Sequence, residues 1–242
     1  MFIMLFNTNI NFLIMYCTCR IHENPLGDEG IEKLVSSLLA LYGPNTLNAP
    51  DMMTDRLENE PRPLANSTSG DHVVLNNTVN GDGTNQTSGK DNILALKSLE
   101  IGACGITTAG ASAVAKLIRA NIGITSLSLT GNKEIESVGW AEIADSLQHN
   151  TVINTLELHH NALENTTTSI IADGLMQNTS IHTIDLEGNH IDDEGAEKIQ
   201  KLLEVNRTLR TIHLRSGNQI SESVLADIEH LTAERQHSSS AT

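Results

Sequence analysis

Residues 181–196 read Ile-His-Thr-Ile-Asp-Leu-Glu-Gly-Asn-His-Ile-Asp-Asp-Glu-Gly-Ala. Ile184 and Leu186 alternate with Thr183, Asp185 and Glu187, the period of two by which a short strand buries one face and wets the other. Asn189 follows in a turn, and Ile191 closes the pattern apolar-x-x-apolar-x-apolar-x-x-Asn-x-apolar that began at Ile181. The same pattern runs through Leu96, Leu99, Ile101, Cys104 and Ile106, and through Ile124, Leu127, Leu129, Asn132 and Ile135, with one extra residue in the second case. It returns as Ile153, Leu156, Leu158, Asn161 and Leu163, then as Leu209, Ile212, Leu214, Asn218 (slipped by one) and Ile220. The starts at 96, 124, 153, 181 and 209 are 28, 29, 28 and 28 residues apart, a fixed period that marks a repeat architecture.

After each turn the apolar spacing changes to that of a helix. Ala109, Ala113, Val114, Leu117 and Ile118 form one stripe; Ile143, Ala144 and Leu147 a second. Ile170, Ile171, Gly174 and Leu175 form a third, and Ile199, Leu202 and Leu203 a fourth. Small residues on these stripes (Gly110, Ala111, Ala141, Gly195, Ala196) are expected to let each helix lie close to its strand. Each helix runs out in an Asn-bearing turn, at Asn121, Asn150, Asn178 and Asn206. One such unit cannot bury its own apolar face, so neighbours must stack.

The pattern resembles the leucine-rich repeat, and its length is similar to that of the ribonuclease-inhibitor-like class. Ran GTPase-activating proteins and NOD-like receptor sensor regions carry similar units. The segment Asn189–Ala196 matches the family's passage from turn to helix. The resemblance implies an α/β fold, a right-handed solenoid with parallel strands on the concave face and helices on the convex face. It also gives the repeat asparagines a structural role, bonding backbone groups of neighbouring turns that would otherwise be buried unpaired. Those positions are Asn24, Cys104, Asn132, Asn161, Asn189 and Asn218. Cys104 is the alternative of the repeat consensus, and as a weaker donor it should make a softer turn.

An earlier copy reads Tyr16, Cys19, Ile21, Asn24 and Leu26, followed by Gly27-Asp28-Glu29-Gly30. Residues 1–15 are then expected to be an apolar N-terminal segment or cap, 16–43 a first repeat, and 44–93 a disordered insertion dominated by Asn, Thr, Gly, Asp and Pro. Residues 94–233 make five further units and 234–242 a polar tail. MFIMLFNTNINFLIMY holds four of the six aromatics, yet Asn7, Asn9 and Asn11 interrupt it and no basic residue precedes it, which argues against a signal peptide. It is also too short to span a membrane, which takes about 20 apolar residues.

Composition narrows the function. Lys and Arg number 15 against 30 Asp and Glu, giving a formal charge of −15, and aromatics are 2% of the chain. The core must therefore be aliphatic. Nucleic acid is disfavoured, because its backbone needs a cationic surface, and so is an anionic membrane. Three cysteines fit a reducing compartment rather than a disulfide framework. Six Asn-x-Ser/Thr sequons, at Asn66, Asn76, Asn85, Asn165, Asn178 and Asn206, are explained by composition and would matter only in a secreted chain.

Outward strand positions should form columns across neighbouring strands. One runs Glu100, Ser128, Glu157, Asp185, His213; the next Gly102, Thr130, His159, Glu187, Arg215. Carboxylates and imidazoles together suit zinc or manganese or proton transfer. An open, wet strip with no pocket is instead suited to docking, its charge steering a basic partner. The chain is expected to be a non-catalytic cytoplasmic scaffold for signalling that binds a protein through Glu100, Ser128, Glu157, His159, Asp185, Glu187, His213 and Arg215. No cofactor or metal is expected, and no membrane or nucleic acid partner. The resemblance leaves two alternatives open, a GTPase-activating protein of the Ran type and a fragment of a NOD-like receptor sensor region.

Overall fold

The computed structural model describes residues 18–42, apart from 22 and 24, and residues 96–239. The expected cap at 1–15, Asn24 and the insertion at 44–93 lie outside the described residues. Within them six strand–helix units follow one another: β1 (Thr18–Arg20), α1 (Gly27–Tyr42), β2 (Ser98–Glu100), α2 (Thr108–Arg119), β3 (Ser126–Ser128), α3 (Ser137–His149), β4 (Thr155–Glu157), α4 (Asn165–Leu175), β5 (Thr183–Asp185), α5 (Asp193–Val205), β6 (Thr211–His213) and α6 (Glu222–Ser239). Helix α6 continues to Ser239, through most of the stretch read from the sequence as a polar tail.

All six strands pair in chain order and in parallel. The register aligns Leu99, Leu127, Leu156, Ile184 and Ile212 in a single row. The first four of these are at most 2% exposed. Strands stack about 4.8 Å apart while packed helices need about 8–10 Å, so a coil with strands on one side and helices on the other must curve toward its strands. The aliphatic core lies between the two layers, with Trp140 of α3 buried in it at 1% exposure and the half-buried Tyr42 of α1 packed against it.

Three rows of polar side chains tie the units together, each row satisfying backbone groups that no helix or strand reaches. Behind the strands, Asn132 Oδ1 accepts from the N–H groups of Cys104 (3.0 Å) and Ile106 (3.3 Å), and Asn132 Nδ2 donates to the carbonyls of Ile101 and Leu129. Asn161 Oδ1 accepts from Asn132 N–H, Asn189 Oδ1 from Asn161 and Leu163, and Asn218 Oδ1 from Ile191. Cys104, in the same place, is buried, and its single S–H has the Ile21 carbonyl at 2.7 Å and the Gly102 carbonyl at 3.3 Å as acceptors.

The second row lies where helices end. Asn150, Asn178 and Asn206 are 3%, 2% and 5% exposed. Each spans two units: Asn178 Nδ2 donates to Leu147 O (2.7 Å) and Asn150 O (3.1 Å), while its Oδ1 accepts from the N–H groups of Ser180 and Ile181. Asn121, which the sequence reading groups with them, is exposed in a left-handed conformation (φ 52°) and only accepts from Thr151 N–H.

The third row sits where helices begin, and the sequence reading missed it. Asp28, Thr108, Asn165 and Asp193, each at the first or second position of its helix, accept respectively from the backbone N–H of Thr107 (2.9 Å), Glu136 (3.4 Å), Asp192 (3.1 Å) and Ser221 (2.6 Å) in the following unit. A hydroxyl, amide or carboxylate at one fixed offset in four units was the available signal.

The small residues lie close to their own unit and also to the one before: a Cβ on Gly195 would stand 2.7 Å from Ile191 Cγ2 of its own unit and 2.6 Å from Asn165 Oδ1 of the preceding one. A Cβ on Gly174 would stand 2.5 Å from the Ala144 carbonyl oxygen, and one on Gly139 2.9 Å from Ala111 Cβ. These two approaches are to the preceding unit, so glycine here also sets how tightly units nest. Ala141 is exposed and takes no part in that nesting.

Candidate functional site

The strand face away from the helices carries the polar columns. The register places Arg20, Glu100, Ser128, Glu157, Asp185 and His213 side by side across the six strands. Arg20, absent from the columns read in the sequence, belongs at their head. It follows Cys19 as Glu100 follows Leu99, so extending the column back by one repeat would have found it.

Charge along this row is uneven. Arg20 clasps Glu100 through Nε and Nη2, the second bond being 2.8 Å, so the first acid of the row is neutralised at home. The hydrogen bond and charge of Glu100 raise the Arg20 pKa, as an ion pair should. Ser128 lines up in register but is only 6% exposed, and Thr130 is 8% exposed. Their hydroxyls meet at 3.0 Å, and the Thr130 hydroxyl faces His159 Nδ1 at 3.3 Å. Ser128 therefore forms a sunken floor and presents little of itself to a visitor.

Past that floor the acids are held in place. Asp185 Oδ1 accepts from Glu187 N–H at 2.9 Å, and Asp185 Oδ2 lies 3.4 Å from His159 Nδ1. Glu187 Oε1 accepts from Ser216 N–H at 3.3 Å. His160 stands edge-on to His159, ring centroids 5.5 Å apart. Glu157 enters no ion pair among the described residues. Arg215 makes ion pairs with Glu222 (2.9 Å) and Glu229 (2.8 Å) of α6, which hold its cation on that helix. The structure thus brings Glu157, His159, Asp185, Glu187 and His213 onto one open surface, and commits Glu100 and Arg215 to local ion pairs.

What this arrangement can do follows from its exposure. His159 and Asp185 keep 31% and 25% of their side-chain surface open to water, and bulk water blunts the field that proton transfer or metal capture would need. Among the described residues no group of three His, Cys, Asp or Glu could hold a metal ion. Nor, among them, is any helix long and apolar enough to cross a membrane. A groove of about 750 Å³ lies on the helix side, between α2 and α3, and has no strip residue in its lining.

Residues 95–115 and 177–199 match a family model described as Leucine Rich repeat. Among curated proteins none matches the chain. Of solved structures, the chain is similar to leiomodin-1 actin-binding site 2, at 15% identity and a TM-score of 0.46, over 52% of this chain and 90% of that one. It is likewise similar to the tropomodulin C-terminal domain of Caenorhabditis elegans, at 8% identity and a TM-score of 0.41, over 54% of this chain and 96% of that one. The matched segments and the strand–turn–helix geometry together make the described residues a leucine-rich-repeat solenoid.

Proposed function

We propose that this solenoid is a non-catalytic scaffold that docks a protein with a basic surface on the C-terminal half of its strand face. The observation that carries this is the uneven charge of the row. Arg20 cancels Glu100, Ser128 and Thr130 sink, and Arg215 is held by α6, which leaves Glu157, Asp185 and Glu187 as the acids that look outward. Two of them are fixed by backbone N–H groups, so little side-chain freedom is lost when a partner's lysine or arginine arrives. His159 and His213 border the acids, and cationic steering sets on-rate and orientation more than raw affinity.

The reading includes a cytoplasmic location, no cofactor, and a 28-residue unit of the ribonuclease-inhibitor-like kind. Its test is affinity capture with the full chain, partners being identified by mass spectrometry and then rebound as pure proteins. Glu157→Lys with Asp185→Lys should abolish binding of a basic partner while the circular dichroism spectrum stays that of the parent. Undiminished binding by the double variant would refute the proposal.

A further inference from the structure

Three described asparagines begin Asn-x-Ser/Thr sequons, and two of them, Asn178 and Asn206, are members of the buried helix-end row. Both amide hydrogens of each are in use. Asn178 Nδ2 donates to Leu147 O (2.7 Å) and Asn150 O (3.1 Å). Asn206 Nδ2 donates to Leu175 O (2.7 Å) and Asn178 O (2.8 Å). Their own Oδ1 atoms hold the turn that leads into the next strand, through Ser180 and Ile181 in one case and Thr208 and Leu209 in the other. Asn178 also links the two, since its carbonyl receives the Asn206 amide.

N-glycosylation acts on this same nitrogen. Asn Nδ2 bonds to C1 of the sugar carried on a lipid pyrophosphate, the C1–O bond to the pyrophosphate breaks, and Nδ2 gives up one proton. The product keeps one N–H where this row needs two, so one buried carbonyl at each site loses its donor. It also sets a bulky, solvated oligosaccharide on an atom with core on every side, where interiors leave no room for one.

We infer that glycans at Asn178 and Asn206 are incompatible with the solenoid, and that the chain therefore reaches its fold only in a compartment without N-glycan transfer. The inference concerns compartment alone and rests on no part of the docking proposal. Transfer happens to chains still unfolded, so the modification would arrive before the row could hide its amides.

The test directs the full chain into the secretory route with a cleavable signal sequence, with and without tunicamycin, which blocks synthesis of the lipid-linked sugar. Glycans are mapped by enzymatic release, which converts the modified Asn to Asp, and folding is read as resistance to limited proteolysis. Untreated chains should carry sugar at Asn178 and Asn206 and lose their protease resistance, and tunicamycin should restore it. A Ser180→Ala, Thr208→Ala variant, which removes both sequons and keeps both asparagines, should be resistant without the drug. Untreated parent chains that emerge resistant, glycosylated there or not, would overturn the inference. So would a double variant that stays sensitive without the drug while tunicamycin rescues it, because the damage would then come from another sequon.

Discussion

From α3 to α6 the units are joined mainly by neutral amides, Asn161, Asn189 and the half-buried Asn218 behind the strands and the buried Asn150, Asn178 and Asn206 at the helix ends, with the Asp193 carboxylate accepting from Ser221 N–H beside them. The junction between the first repeat and the second uses other chemistry. Cys104 stands where asparagine would, its thiol donating to Ile21 O. Asp28 accepts from Thr107 N–H (2.9 Å), Gly110 N–H (2.9 Å) and the Thr107 hydroxyl (2.6 Å), and Arg20 grips Glu100 across the strand face. An amide in the core works at any pH and any ionic strength. A carboxylate and a surface ion pair depend on both. The same stacking problem thus has a permanent solution in the middle of the coil and a conditional one at its start.

That contrast can be broken most sharply at Asn178. Replacing it with alanine strips five hydrogen bonds and leaves several buried backbone groups unpaired, a loss of about 3–5 kcal/mol in urea unfolding, since each orphaned group costs about 1–3 kcal/mol. Asn121→Ala, on an exposed turn with one bond, should by comparison cost only about 1 kcal/mol, chiefly because alanine is poorly suited to the left-handed φ of 52°. Nesting comes next. Gly174→Ala forces a methyl against the Ala144 carbonyl and should cost about 1–3 kcal/mol, read as a lowered thermal midpoint.

The conditional junction is smaller in effect but has a signature of its own. Partial burial pushes the Asp28 carboxyl up, and the hydrogen bonds from Thr107 and Gly110 outweigh it, leaving a pKa below the ordinary 3.8. A carboxyl depressed on folding stabilises the native state fully above its unfolded value and ceases to do so as pH falls through its folded one. Hydrogen exchange compared at pH 6 and near pH 3 should show α1 amides losing protection while those of α4 and α5 keep it. Asp28→Asn should remove that dependence. Smallest of all is Arg20→Ala, an exposed ion pair whose loss should leave the unfolding midpoint unmoved, yet free Glu100 to extend the acidic row and strengthen capture of a basic protein at low salt.

Much of this was legible in the chain itself. A period of 28 residues with a strand half and a helix half admits few folds, and Leu99, Leu127, Leu156, Ile184 and Ile212 had to align once the units stacked. The asparagines behind the strands announced themselves by position. The row at helix starts did not, because Asp28, Thr108, Asn165 and Asp193 share an acceptor atom and not a residue type. Nor does a sequence column report depth: Ser128 occupies an outward register but has too short a side chain to rise above its neighbours. Arg215 shared a column with Glu187, but its long side chain found two carboxylates on α6 that no strand periodicity could foretell.

Chemical footprinting of carboxylates, by carbodiimide coupling to glycine amide with and without a captured partner, tests the docking account most directly. It predicts that Glu157, Asp185 and Glu187 are shielded by the partner while Glu142 and Asp145 on the helix side react as before. Shielding of Glu142 and Asp145, with the three strand-face acids still labelled, would contradict it.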